Sequence, residues 1–202
     1  VTSMRMMFHS AKNAEPETSH WDTSKVTTMW NMFGHAEKAN PDVKNWDTSS
    51  VTTFAGMFTE AKSAKPNTSE WVTDSVTGAG FKAMFVNATS ANPDVRSWNT
   101  SGATNMNQIF QGASSADPDT GDWDVSNVVW MGNIFLGSGI SNANYKNFLI
   151  MAADTCTGGN PCDNTKVDIT TVPAKAEDEA AMTARKILLN KENGWLIKDD
   201  SE

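Results

Sequence analysis

The polar and apolar positions of this chain run on a clock. Val26, Met29, Met32, Phe33 and Ala36 stand at spacings near three and four, and Val51, Phe54, Met57, Phe58 and Ala61 reproduce the pattern one period later. Such spacing predicts a short helix that buries one face. Ahead of each stripe comes Asp-Thr-Ser, as at Asp22-Thr23-Ser24 and Asp47-Thr48-Ser49, whose side-chain oxygens can satisfy the free amides of a helix start. Pro16, Pro41, Pro66, Pro93 and Pro118 then stop the helices, since proline lacks an amide donor and pushes the preceding residue out of the helical region. The residues after each Pro, such as Asp42-Val43-Lys44-Asn45-Trp46, are too few for a second helix. They predict a short strand whose centre, Thr18, Val43, Thr68, Val95 or Thr120, faces inward.

The period is explicit in Trp21, Trp46, Trp71, Trp98 and Trp123, with steps of 25, 25, 27 and 25. Phe8, Phe33, Phe58, Phe85, Phe110 and Phe135 follow the same clock, and two extra residues around Gly80-Phe81 account for the long step. A helix and a strand per rung predict an α/β solenoid of leucine-rich-repeat type over residues 1–138, with short parallel strands on one side and short helices on the other. Residues 139–202 have another texture and read as a helical and strand cap on the same structural unit. Tyr145, Phe148, Leu149 and Ala152 form a helical stripe that Ser141 can cap. Val167–Ile169 reads as a strand, the stretch from Glu177, Asp178 and Glu179 to Arg185 and Lys186 as a helix, and Trp195–Ile197 as a closing strand.

Charge narrows the partners. Sixteen Lys and Arg against 24 Asp and Glu give a net charge of −8, which argues against nucleic acid and against an anionic membrane surface. No apolar run reaches the ~20 residues of a membrane-spanning helix. Val1 falls in mid-repeat, so no signal peptide is expected in this stretch and the chain is expected to be part of something longer. Cys156 and Cys162 are the two cysteines and close a short Cys-Thr-Gly-Gly-Asn-Pro-Cys loop. A disulfide between them predicts an oxidising compartment, with two free thiols as the alternative.

Two columns carry the candidate chemistry. The residue after each Pro is Glu17, Asp42, Asn67, Asp94 or Asp119, and two positions on stand Ser19, Lys44, Ser69, Arg96 and Gly121. Both flank the inward residue, so on a strand they share the outer face. Asp42, Lys44, Asp94, Arg96 and Asp119 are therefore candidate ligand-binding residues, and Asp42, Asp94 and Asp119 are hard oxygen donors suited to Ca2+. A merely solvated polar face is the alternative. The Trp ladder reads as a buried spine, because identical placement in every rung is what a core demands. Trp30 and Trp130 lie off it and are the better exposed aromatics. His9, His20 and His35 show neither metal-type nor triad spacing, and no nucleophile, base and orienter set occurs. An enzyme is not expected.

The run Trp-Asp-Thr-Ser-x-Val-Thr-x-Met-x-x-Met-Phe-x-x-Ala at residues 21–36 resembles the BspA-like leucine-rich repeat surface proteins of bacteria. The closing Asn193-Gly194-Trp195-Leu196-Ile197-Lys198-Asp199 is similar to how such arrays end. The resemblance implies a ligand-binding module of a cell-surface adhesin, extracellular, taking a peptide or protein with possible Ca2+ assistance. A glycan-binding module and a passive spacer of a surface protein are the alternatives. Two departures stand out. Ala14, Ala39, Ala64, Ala91 and Ala116 occupy positions where family rungs usually carry Phe or Leu, and the five prolines stand where polar residues are usual.

Overall fold

A computed structural model describes residues 1–157, 168–172, 178–189 and 196–199. The rungs stack as expected, but they contain neither helices nor strands. The α/β leucine-rich-repeat expectation is therefore corrected: the first 141 residues are turns and coil joined by isolated parallel bridges, such as Ser3 to Thr28 and Thr28 to Thr53.

The reason lies in where the backbone hydrogen bonds go. An α-helix sends each N–H to the carbonyl four residues back. Here alternate amides leave the rung: Met29, Asn31, Phe33 and His35 donate to the carbonyls of Thr53, Ala55, Met57 and Thr59 in the next rung at 2.7–3.0 Å. The intervening amides of Met32, Gly34 and Ala36 turn back to Met29, Asn31 and Phe33 at 3.0–3.1 Å. Two residues per rung take positive φ to allow this, Asn31 (50°) and His35 (60°), then Gly56 (66°) and Glu60 (59°). A positive φ at the third residue of such a three-residue-back turn marks type II geometry. The apolar stripe of the second rung is nevertheless buried, with Val26, Met29, Met32, Phe33 and Ala36 fully inside.

The post-proline segments fail as strands for a related reason. Trp46 N–H bonds the carbonyl of Val43 at 3.3 Å, which closes a turn, and the indole Nε1 of Trp46 takes the carbonyl of Thr18 in the rung before at 3.1 Å. Thr18 Oγ1 in turn donates to the carbonyl of Asp42 at 2.7 Å. Side chains thus satisfy the backbone groups that a sheet ladder would have used. Thr18, Val43, Thr68, Val95 and Thr120 still face inward and are buried.

Two aromatic ladders run up the interior. Phe8, Phe33, Phe58, Phe85, Phe110 and Phe135 stack with centroids 5.4–6.0 Å apart. Trp71, Trp98 and Trp123 stack at 6.4 and 6.5 Å, and Trp21 on Trp46 at 6.0 Å. Such offset stacks add to the area that each ring buries.

Regular elements begin only after the stack. They are α1 (Asn142–Thr157), β1 (Asp168–Val172), α2 (Glu179–Leu189) and β2 (Leu196–Asp199), with β1 and β2 paired in parallel. Ser141 Oγ accepts from Asn144 N–H at 3.3 Å as the N-cap of α1, and Asp178 Oδ1 accepts from Ala181 N–H at 2.9 Å for α2. Phe148 of α1 meets the last Phe of the ladder, Phe135, edge-on at 5.0 Å. Asp117 ties the helix down by accepting from Ser141 N–H and Asn144 Nδ2 at 2.7 and 2.9 Å. The expected Cys156–Cys162 pairing lies outside the described residues.

Candidate functional site

The post-proline acids have a local task. Asp42 Oδ1 accepts from Lys44 N–H at 3.2 Å, Asp94 Oδ1 from Arg96 N–H at 3.3 Å and Asp119 Oδ1 from Gly121 N–H at 3.2 Å. Asn67 makes the same turn toward Ser69 with an uncharged oxygen, so the geometry does not require a carboxylate. The residues expected to cap helices behave alike. Asp22 and Asp47 accept from the amide and hydroxyl of Ser24 and Ser49, closing turns with no helix behind them. The Ser hydroxyls, followed by their amides, hold both carboxyls below the ordinary Asp range.

Of the five predicted residues, the structure brings Asp94, Arg96 and Asp119 to one corner. Asp42 and Lys44 lie further along the stack, with the Asn67 rung between. Arg96 Nε donates to Asp122 Oδ2 at 2.9 Å, and its Nη1 stands 3.7 Å from Asp119 Oδ2. Asp122, then Asp119 and Asp94, hold the guanidinium proton more tightly than usual. Asn147 of α1 reaches Asp119 Oδ1 at 3.4 Å. Arg96, Asp119, Asp122, Asn147, Met151 and Asp154 line a groove of about 270 Å3 between the last rung and α1. Three carboxylates against one guanidinium give it a negative rim. Among the described residues no three His, Cys, Asp or Glu side chains converge as a metal site, and the candidate donors Asp42, Asp94 and Asp119 each spend one oxygen on their own turn.

Asp122 and Asn147 were missed by the column reading. Asp122 sits four residues after Pro118, in the column of His20, Asn45, Glu70 and Ser97. The same clock would have exposed it had that column been followed. Nothing in the sequence pairs Asn147 with the rungs, because the helix that carries it is not periodic with them.

The aromatics divide only in part as their positions suggested, since Trp21 of the ladder is half-buried. Trp46, Trp71, Trp98 and Trp123 are buried, whereas Trp130 is 44% exposed and Trp30 is half-buried under Arg5, whose guanidinium carbon lies 4.4 Å from a Trp30 ring centroid. A second, apolar groove of about 540 Å3 runs between α1 and α2 along Ile150, Ala153, Ala184 and Ile187. No helix among the described residues is long and apolar enough to cross a membrane.

A family described as Mycoplasma protein of unknown function, DUF285, matches residues 1–94 and again 79–157. No curated protein and no solved structure matches the chain.

Proposed function

The chain belongs to the DUF285 family, and from that premise we propose that it is a ligand-binding module of a bacterial cell-surface adhesin, recognising a peptide or protein. The observation that carries this reading is the corner at Arg96. Its Nε donates to Asp122 and its Nη1 pairs with Asp119 at 3.7 Å, so the guanidinium is held at a groove rimmed by acids and Asn147. A stacked array offers ligands an extended surface. A peptide laid along it could place a carbonyl or carboxylate on the exposed Arg96 guanidinium and basic groups against Asp119 and Asp122. Ca2+ is a candidate bridge between a ligand and those acids. The resemblance of the rungs to BspA-like surface proteins supports an extracellular setting. Trp130, exposed beside Val129 on the last rung, favours a glycan as the second reading.

A peptide and glycan array, run with Ca2+ and with chelator, tests the class of ligand. For a peptide found there, Arg96→Ala and Asp122→Ala are each expected to weaken binding roughly tenfold or more by calorimetry, the scale of a charge-assisted bond. Unchanged affinity in both would remove the groove as the site. A glycan whose binding falls with Trp130→Ala instead would establish the second reading.

A further inference from the structure

The groove at Arg96 does not end at the last rung. Asn147, Ile150 and Asp154 stand at spacings of three and four along α1, which puts them on one stripe of the helix. All three line the groove that holds Arg96, Asp119 and Asp122, and Ile150 and Asp154 also line the apolar groove between α1 and α2. The two are therefore arms of one trough, with α1 as the shared wall. Small residues open the apolar arm. Ala153 of α1 and Ala184 of α2 are buried and short, and Ile150 and Ile187 beside them are only half-buried. About 540 Å3 of open space over this lining leaves aliphatic surface that a well-packed interior would cover. Charge sets the rim. Asp154 and Glu179, both exposed, stand at the apolar arm, and Asp119 and Asp122 at the polar one.

We propose that the ligand of the Arg96 corner is a peptide carrying a Lys or Arg close to a large apolar residue. The basic group meets Asp119 and Asp122, the apolar side chain enters the arm between α1 and α2, and Arg96 takes a main-chain carbonyl. This inference rests on the peptide reading of the corner and adds the side chains that select the ligand. Acids at both arms repel a fatty acid or an anionic lipid headgroup, and a net charge of −8 disfavours a second copy of this chain. Burial of one large apolar side chain is worth about tenfold or more in affinity.

Peptides of Gly and Ser that carry one Arg and one Leu at varied separations test both arms, with the full chain in fluorescence polarisation. The controls replace Leu or Arg by Ser. At the best separation the Arg and Leu peptide is expected to bind about tenfold or more tightly than either control. Thr183→Trp, at an exposed position of α2 that lines the apolar arm, should abolish the advantage of Leu and keep that of Arg. Ala180→Trp, exposed on the same arm, should do the same, so the result does not hang on one substitution. Equal binding of the Arg and Leu peptide and its Arg-only control, both weakened by Arg96→Ala, would overturn this inference and leave the reading of the corner standing. Binding indifferent to Arg96→Ala and Asp122→Ala would remove both. A concentration-dependent dimer that Thr183→Trp abolishes would also overturn the inference, because the arm would then hold a second copy.

Discussion

At the scale of single residues, the turns depend on positions that L-amino acids adopt reluctantly. Gly56 has φ +66°, and a Cβ added there would lie 1.9 Å from Oδ1 of Asn31 in the rung before. The Asn31 amide can swing away, so the main cost of Gly56→Ala is the left-handed backbone, about 1–2 kcal/mol. That predicts a fall of a few degrees in Tm; an unchanged Tm would show that the stack does not enforce the conformation. Asp47 gives a second test. Its carboxyl is held below the ordinary range by the Ser49 hydroxyl and then by the Ser49 amide. A depressed folded pKa contributes stability that is present above the unfolded value near ~4 and lost as pH falls through the folded one. Asp47→Asn keeps an acceptor oxygen, as Asn99 does toward Ser101, and removes the titration. Its Tm should match the parent least near neutrality and converge on it below pH ~4; identical pH profiles would mean that the Ser49 contacts do not perturb the carboxyl.

At the scale of the rung, the sequence shows the core but not the path of the chain. Val26, Met29, Phe33 and the inward Thr18 and Val43 are all buried where the apolar pattern places them. Spacings of three and four, however, are shared by a helix and by this succession of turns. The distinguishing signal would be Gly or Asn at each left-handed position. Only some carry it: Asn31, Gly56 and Asn133 in one column, but Met6, Ala83 and Gln108 beside them, all with positive φ. Inter-rung hydrogen bonds override local preference there, and one sequence cannot reveal bonds made 24 residues away. In α1, where no neighbouring rung competes for the amides, Tyr145, Phe148, Leu149 and Ala152 do lie on a true helix. The long step tests how exacting the rung is. Trp71 Nε1 donates to Val43 O at 3.1 Å, whereas Trp98, which follows the 27-residue step, is buried with its Nε1 unpartnered. Trp98→Phe should therefore cost about 1 kcal/mol less than Trp71→Phe, since only the latter loses a hydrogen bond. Equal losses in denaturant unfolding would indicate that Trp98 finds an acceptor.

At the scale of the whole molecule, the Arg96 corner was half legible, because Asp94, Arg96 and Asp119 follow the clock while Asn147 arrives on a helix outside it. The same contrast between array and end governs stability. Each rung touches only its neighbours, so the stack approximates a one-dimensional array in which terminal units open first. The C-terminal side is held by α1 through Asp117, Ser141 and Asn144. The first rung is held from one side alone, by the amides of Met4, Met6, Phe8 and Ser10. Opening it breaks that single interface, whereas exposing Phe58 or Phe85 requires two to separate. Hydrogen exchange should accordingly be graded along the chain, with the Phe8 amide exchanging at least about tenfold faster than those of Phe58 and Phe85 at neutral pH. All three donate to equivalent carbonyls in the following rung at 2.8–2.9 Å, so local hydrogen-bond geometry cannot produce the difference. Uniform protection from Phe8 to Phe110 would mean that the rungs open as one cooperative unit, and the description of separable layers would fail.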